Sequence, residues 1–539
     1  MPPPLFTPSG DRYISTVASI IIQAFAGGSY AFSIYSPTLK SSQSYTQSTL
    51  DTISVFKDIG ANAGVLSGLL FTATTPWVVI TAGAAQCFVG YLMLWLAVVG
   101  VVRVRVWEMC GFMFLAAHAQ TFFNTGNVVV GVENFGEYGG TIVGIMKGFL
   151  GLSGAILIQI YQALLKGNPS SFILMLALLP SSVSLLLMFF VRICHVRGSE
   201  DKKHLNRFSI VALVVAGYLM IVIILENIFT FPLGARVATL IILLILLFSP
   251  LKIALQARSN ELGMGLLASP DERDLLVHET EGETEKQKAD NYGKYRKFPD
   301  DPDQQDTVTE TEALAVDESK NILEAMRTLE FWFLFIAMAC GMGSGLATIN
   351  NMSQIAESLG YDTIQRNTLV SLWSIWNFLG RFGAGYVSDV LLHRNGWARP
   401  TFMVITLASM AVGHIIIASG FPGNLYIATV LVGICYGSQW SLMPTITSEI
   451  FGVLHMGTIF NTIAIASPVG SYFLSVRVIG YLYDKEAGQA DSCSGTHCFM
   501  LSFSILACVC LFGSGIALML FFRTRGFYRS IVLRRLQIL

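Results

Sequence analysis

The sequence predicts an all-α membrane protein made of two six-helix halves, with two further transmembrane helices between them. The 539 residues are 53% hydrophobic and 13% charged, with a mean hydropathy of +0.59, whereas an ordinary soluble domain carries about 25% charged residues. Apolar runs long enough to cross a bilayer recur along the chain, and one sequence pattern occurs in both halves. This composition excludes a secreted enzyme, a soluble globule and a nucleic-acid-binding protein.

Fourteen apolar runs are predicted as membrane spans, because each approaches the roughly 20 residues that a bilayer requires. Residues 1–192 hold the first six, 193–256 hold two more and 329–522 hold the last six. The runs lie near residues 13–36, 51–73, 76–99, 107–131, 140–163, 170–192, 207–229, 235–256, 329–351, 366–390, 401–420, 424–448, 456–480 and 499–522.

An acidic segment, residues 257–328, separates the two halves. Between Glu261 and Leu329 there are 18 Asp and Glu against 8 Lys and Arg. Such a segment cannot bury enough apolar area to fold, so we expect a mostly disordered linker. Lys and Arg cluster after the sixth, tenth and last runs, which places this linker, the basic tail 523–539 and both termini in the cytoplasm. The plasma membrane and endomembranes such as the vacuolar membrane both fit.

An internal repeat relates the two halves. Residues 133–142 and 449–459 share Glu-x-Phe-Gly followed by Gly-Thr-Ile, each at the turn between the fourth and fifth spans of its half. Two related six-helix halves joined by a central linker describe the major facilitator architecture. An even number of inserted spans keeps the second half in the orientation of the first.

The segment from Gly380 to Asp389 resembles motif A of the major facilitator proteins. Its small residues allow close helix packing, and in that family the aspartate faces a helix N-terminus, which favours negative charge. We predict an inner gate in which Arg381 pairs with Glu449; simple interfacial charge is the alternative. The first-half copy has Gly68 where the aspartate would be, so the gate should be asymmetric. The predicted gate residues are Gly385, Asp389, Arg381, Glu449 and Glu133.

Polar side chains within the spans are the candidates for a central substrate cavity. Lys147 lies inside the fifth span, where a lysine needs a cavity or a partner unless it snorkels to the headgroups. Asp58 is a candidate proton carrier, or else part of an outer ion pair with Lys57. His118 is a candidate titrating group, or else a packing residue. The other predicted cavity residues are amides and aromatics: Asn124, Tyr30, Asn350, Trp373, Asn377, Gln439, Trp440 and Asn461.

The sequence contains few motifs typical of disulfide, metal or nucleotide-phosphate chemistry. Cys493 and Cys498 lie in a predicted outer loop, where a disulfide is plausible in an oxidising compartment and stays open. The sequence has no zinc-like Cys/His spacing and no phosphate-binding P-loop. We therefore expect no metal, no cofactor and no enzymatic activity.

Three stretches carry a family resemblance: Ala82–Gly90, Phe112–Asn124 and Gly140–Gln159. They resemble the plant nodulin-like family of major facilitator proteins, which includes the nuclear-fusion-defective group. The resemblance covers roughly residues 10–260 and 330–525 and implies a major facilitator fold. The family is distantly similar to oxalate/formate antiporters, which hold carboxylates with basic cavity residues; Lys147 is chemically consistent with such a role.

Two functions follow as hypotheses. The first is a secondary active transporter that moves a small organic anion or carboxylate by alternating access, with proton coupling left open. The second is a membrane receptor or scaffold on a transporter fold, acting through the 257–328 linker. The expected partners are the lipid bilayer and a small solute, with protons open and nucleic acid excluded. We expect a monomer.

Overall fold

A computed structural model describes residues 8–165, 168–194, 200–229, 231–267, 319–487 and 493–538. These residues form α-helices with short 3₁₀ segments and one π-helical segment. The first half comprises α1 (Pro8–Phe25), α2 (Phe32–Ser42), α3 (Gln47–Asn62), α4 (Val65–Ala73), α5 (Pro76–Val98), α6 (Val106–Asn134), α7 (Gly139–Leu164) and α8 (Pro169–Leu187).

The first two predicted spans are each broken into two helices. Between α1 and α2 the chain turns through a 3₁₀ segment, Gly28–Ala31, at which a Cβ on Gly28 would lie 2.7 Å from the hydroxyl of Tyr91. Between α3 and α4, Ala63 and Gly64 leave the helical path. Both breaks border the central cavity, and the first one turns Tyr30 toward it.

The two additional helices are α9 (Asp201–Ile228) and α10 (Leu233–Leu267), and they pack on the first half. The buried Arg12 of α1 pairs with Asp201 at 2.9 Å, and Tyr13 donates a hydrogen bond to the same carboxylate at 2.8 Å. The helix α10 continues past residue 256, where we predicted the linker to begin. Residues 268–318, the greater part of that predicted linker, lie outside the described residues.

The second half follows the same plan. It comprises α11 (Ile322–Met326), α12 (Leu329–Ser358), α13 (Thr363–Asn395), α14 (Pro400–Ser419), α15 (Asn424–Phe451), α16 (Met456–Ala464), α17 (Ala466–Ser471), a π-helix (Tyr472–Gly480), α18 (Tyr481–Ala487) and α19 (His497–Ile538).

The ends of α13 show why this long, polar helix forms. Asp362 accepts a hydrogen bond from the backbone N–H of Gln365, and the Gln365 side chain accepts one from the N–H of Asp362, which is a capping box. At the other end Gly396 takes a left-handed conformation, with φ of 68°, that closes the helix.

The predicted number of fourteen spans is not confirmed. Among the described residues, eleven helices are long and apolar enough to cross a membrane. Helices also occupy the remaining predicted places, 51–73, 107–131 and 366–390, but these carry more polar residues. Their polar side chains, including Asp58, Asn124 and Asn377, line the central cavity. Three of the helices that build the cavity are therefore missed by an apolar criterion.

Within the described ranges the two most extensive contacts between the halves are α7 against α13 and α4 against α16. Glycines make the first contact close: a Cβ on Gly144 would lie 3.1 Å from the backbone of Phe382, and one on Gly148 would lie 2.9 Å from the ring of Phe378. Small residues allow such backbone approach between membrane helices. These contacts close one end of the space between the halves.

Candidate functional site

A cavity of about 370 Å³ lies between the two halves. Exposure rises from its floor, where the Lys147 side chain is 1% exposed, to its mouth, where Tyr30 is 43% exposed. Nine predicted cavity residues line it: Lys147, Asp58, Asn124, Tyr30, Asn350, Trp373, Asn377, Trp440 and Asn461. Residues that we did not predict there include Lys57, Gln120, Tyr436 and Phe460, together with Arg381, which we had predicted at the gate.

The floor of the cavity carries the ammonium group of Lys147. Its Nζ lies 5.3 Å from the centroid of the Trp440 ring and 5.1 Å from that of Phe460, so two aromatic faces surround it. Within the described ranges no carboxylate lies within ion-pair distance of this group. A cation held in a membrane-embedded cavity without a counter-ion is suited to an anionic ligand.

Arg381 supplies a second positive charge at the floor. Its Nε donates to Oδ1 of Asn377 at 2.8 Å and its Nη1 to the carbonyl oxygen of Lys147 at 3.1 Å, while Nη2 lies 3.4 Å from the Tyr30 hydroxyl. All three acceptors are neutral, so they orient the guanidinium without compensating its charge. The side chain is 1% exposed and lies 5.6 Å from the Trp440 centroid.

The predicted pairing of Arg381 with Glu449 is therefore wrong. Arg381 precedes Asp389 by eight residues on α13, and eight residues of α-helix span about 12 Å. When Asp389 sits at the closed end, Arg381 must lie deep in the cavity.

At the mouth, Lys57 and Asp58 form an ion pair at 3.2 Å. Lys57 also lies over the ring of Phe32, with Nζ 4.9 Å from the centroid. Two adjacent helical residues do not face each other by default, but the long lysine side chain bends back to reach its neighbour. Asp58 lines the cavity with its charge already balanced.

Two predicted cavity residues lie elsewhere. His118 contacts Oε1 of Gln86 at 2.7 Å and the carbonyl oxygen of Ala63 at 3.0 Å, so it fills the break between α3 and α4. That carbonyl has no helical partner and needs a donor. Gln439 is fully buried behind the cavity, with Nε2 3.6 Å from the sulfur of Met410. Neither residue lines the cavity.

The closed end is held by an ionic cluster that we call the gate, formed by Asp389, Arg399 and Glu449. Asp389 accepts hydrogen bonds from the backbone N–H groups of Gly140 at 3.1 Å and Thr141 at 2.5 Å. These residues open α7, so the carboxylate of the second half sits on a helix N-terminus of the first half. The positive end of the helix dipole stabilises this charge.

Arg399 is the gate residue that sequence reasoning missed. It donates to Asp389 at 2.5 Å and to Glu449 at 2.6 Å, and its side chain is 1% exposed. Glu449 also accepts a hydrogen bond from the Tyr528 hydroxyl at 2.7 Å. Arg399 directly precedes an apolar run, so in the sequence it cannot be told from an orienting basic residue. Among the described residues, the ion pairs of the gate do not include Glu133.

The first half makes the matching contact without charge. A Cβ on Gly68 would lie 2.5 Å from the backbone of Gly457 on α16, so an aspartate does not fit there. One turn away, Asn461 donates to the Thr125 hydroxyl at 2.7 Å, and that hydroxyl is 2.7 Å from the hydroxyl of Ser67. The two sides of the closed end are thus chemically different, one ionic and one neutral.

A disulfide joins Cys493 to Cys498, which lies in the first turn of α19. The ring of His497 lies beside it, with Nε2 3.7 Å from the sulfur of Cys493. Both sulfurs are used by the disulfide, so this trio offers no thiolate to a metal ion.

Comparison with known proteins agrees with this architecture. Residues 12–255 match the Nodulin-like family model, and residues 314–530 match the model of the NFD4 C-terminal domain. Protein NUCLEAR FUSION DEFECTIVE 4 of Arabidopsis thaliana is 25% identical over 98% of this chain and 92% of its own length. Probable transporter MCH1 of Yarrowia lipolytica is 29% identical over 29% of this chain and 34% of its own.

A solved structure shares the fold. The structure described as the major facilitator proton:xylose symporter XylE bound to 6-bromo-6-deoxy-D-glucose matches with a TM-score of 0.55 and 12% sequence identity. The match covers 94% of this chain and 95% of that one. The chain is an integral membrane protein that belongs to the nodulin-like family of the major facilitator superfamily, with a Nodulin-like domain followed by an NFD4 C-terminal domain.

Proposed function

We propose that this protein is a secondary active transporter that moves a small organic anion by alternating access. The observation that carries the proposal is the pair of uncompensated cations, Lys147 and Arg381, on the floor of a cavity between the two halves. A carboxylate entering from the mouth would meet both groups in a site of low dielectric, where charge-assisted hydrogen bonds are strong. The relatives named as probable transporters support the same class.

The gate supplies the second requirement of alternating access, a contact between the halves that must break. Asp389 of the second half sits on the N-terminus of α7, which also carries Lys147 about two turns further along. The helix that binds the anion is therefore the helix that the gate holds. We place the gate on the cytoplasmic side, because the basic loops flank that end of the helices.

Proton coupling is proposed at Asp58. It is the carboxylate that lines the cavity within the described ranges, and its partner Lys57 is adjacent. Protonation of Asp58 would release Lys57 and add a positive charge at the mouth, which would favour entry of an anion.

The experiment is ligand-induced thermal stabilisation of the purified full chain. A ligand at 100 times its dissociation constant adds about 2.7 kcal/mol to the stability of the folded state. We expect organic carboxylates to raise the melting temperature, and we expect Lys147→Met to remove that rise. Lys147→Arg, which keeps the positive charge, is the matched control and should keep part of it. Stabilisation by neutral solutes or cations only would refute the anion proposal.

A further inference from the structure

We propose that the transported anion is a hydroxylated carboxylate of the sugar-acid class rather than a plain aliphatic acid. This inference rests on the proposed function and concerns the same cavity. It comes from the hydrogen-bonding groups that the cavity walls leave unused around the two cations.

Three amide side chains present N–H donors to the cavity, because their oxygens are already engaged. Oε1 of Gln120 accepts a hydrogen bond from the Ser29 hydroxyl at 2.6 Å, and Oδ1 of Asn377 accepts one from Arg381 at 2.8 Å. Oδ1 of Asn124 lies 3.5 Å from Nε2 of Gln23. In the described part of the chain the NH₂ groups of all three amides make no hydrogen bond, and all three residues line the cavity.

Asn461 presents the opposite polarity. Its NH₂ group donates to the Thr125 hydroxyl and to the carbonyl oxygen of Gly457, both at 2.7 Å, so both N–H groups are used. Its Oδ1 has no donor within the described ranges. The side-chain NH₂ group of Asn62 also donates a hydrogen bond to the carbonyl oxygen of Asp58, at 2.8 Å. Both residues line the cavity.

This mixture of donors and acceptors discriminates between classes of anion. A carboxylate has acceptor atoms only, so it can satisfy Lys147, Arg381 and the amide N–H groups but not Oδ1 of Asn461. A hydroxyl group both donates and accepts. A ligand that bears a carboxylate and several hydroxyls can therefore pair with the donors and with this acceptor, whereas an aliphatic acid leaves Oδ1 of Asn461 without a donor.

The shape and surface of the cavity agree. Its volume of about 370 Å³ exceeds what a two- or three-carbon acid would fill. Trp373 and Tyr436 lie with ring centroids 5.9 Å apart, and Tyr436 lies 6.4 Å from Trp440. These aromatic faces offer apolar contact to the C–H groups of a sugar ring, while the amides reach its hydroxyls.

The test compares three probes of six carbons on the purified full chain, by thermal unfolding at matched ionic strength. D-glucuronate carries charge and hydroxyls, D-glucose carries hydroxyls only, and hexanoate carries charge only. We expect glucuronate to bind at least about tenfold more tightly than hexanoate, since a site built for hydrogen bonds rejects an analogue that lacks them. Glucose should bind far more weakly than glucuronate.

A matched pair of variants assigns the preference to the cavity wall. Asn124→Leu removes a donor from the cavity, and we expect it to reduce the preference for glucuronate over hexanoate severalfold. Asn127→Leu is the control, because Asn127 lies one turn away on the same helix, is fully buried and does not line the cavity. If Asn124→Leu does not fold, Asn350→Ala at the exposed mouth is the second variant.

The outcomes separate the two proposals. Hexanoate binding as tightly as glucuronate would overturn the sugar-acid inference and leave the anion transporter standing. Glucose binding as tightly as glucuronate, with no effect of Lys147→Met, would overturn both. Failure of glucuronate to stabilise the protein, when other carboxylates do so, would overturn the inference alone.

Discussion

Replacing Lys147 by methionine should make the unliganded protein more stable while it abolishes anion binding. The side chain is 1% exposed, and its ammonium group faces two aromatic rings at 5.1 and 5.3 Å with no carboxylate beside it in the described part of the chain. Methionine has a similar length and no charge, so it fits the same space and keeps the contact with both rings.

The size of the effect follows from two opposing contributions. Burying an ammonium group without a counter-ion costs several kcal/mol after relaxation. Each cation–π contact stabilises the buried ammonium group by about 0.5–2 kcal/mol, so two such contacts offset only part of this cost. Replacing a buried ion pair by apolar residues of similar volume is often neutral or stabilising by about 1–4 kcal/mol. Lys147 is a buried charge without a partner in the described part of the chain, and we expect Lys147→Met to be stabilising in the same range.

The assay is thermal unfolding of wild type, Lys147→Met and Lys147→Arg at one heating rate, because unfolding of large proteins is commonly irreversible and depends on the rate. Lys147→Met should melt several degrees above wild type without ligand, and it should lose the rise that carboxylates give. A melting temperature below that of wild type would refute the reasoning, since it would mean that the native state already compensates this charge.

The remaining predictions concern the contact between the halves. Its opening is measured by chemical labelling of a cysteine introduced at Ser441, beside Gly385 of α13. Asp389→Asn should increase labelling of this cysteine strongly, because breaking a buried ion pair costs about 3–5 kcal/mol. Tyr528→Phe should increase it less, because it removes one hydrogen bond to a charged group, about 1.5–3 kcal/mol. Gly68→Val should also open the contact, because a Cβ there meets backbone on α16, whereas Gly111→Ala should be neutral because a Cβ there meets nothing within 4 Å.

Each of these predictions has a contradicting result. Unchanged labelling in Asp389→Asn would show that the gate does not hold the halves together. A larger effect for Tyr528→Phe than for Asp389→Asn would show that the C-terminal helix, and not the N-terminus of α7, controls closure. Equal labelling in Gly68→Val and Gly111→Ala would show that the neutral contact at Gly68 does not help to hold the halves together.

The membrane class and the pseudo-repeat were accessible from sequence, because apolar length and a repeated turn pattern are properties of the chain itself. The three helices that the apolar criterion omits show its limit. Polar residues such as Asn124 and Asn377 lower the hydropathy of their helices because they line a cavity rather than face lipid.

The partners of charged residues were less accessible. The resemblance to motif A implies that Asp389 faces a helix N-terminus, and in the structure Asp389 accepts hydrogen bonds from the backbone N–H groups that open α7. The sequence cannot say which arginine reaches it, because Arg381 and Arg399 lie on either side at comparable separation along the chain. Only the rise of α13 toward the cavity and the turn before α14 place Arg399 at the gate and Arg381 on the floor.

The sequence by itself determined that this is a helical membrane protein of two related halves with a lysine inside a span, because composition, periodicity and repetition are local. The tertiary structure alone decided that Lys147 lacks a counter-ion in the described part of the chain, that Arg381 joins it, and that Gly68 lies where two backbones meet. These properties depend on which side chains of the other half come within a few ångströms, and residues more than 200 positions apart in sequence supply those contacts.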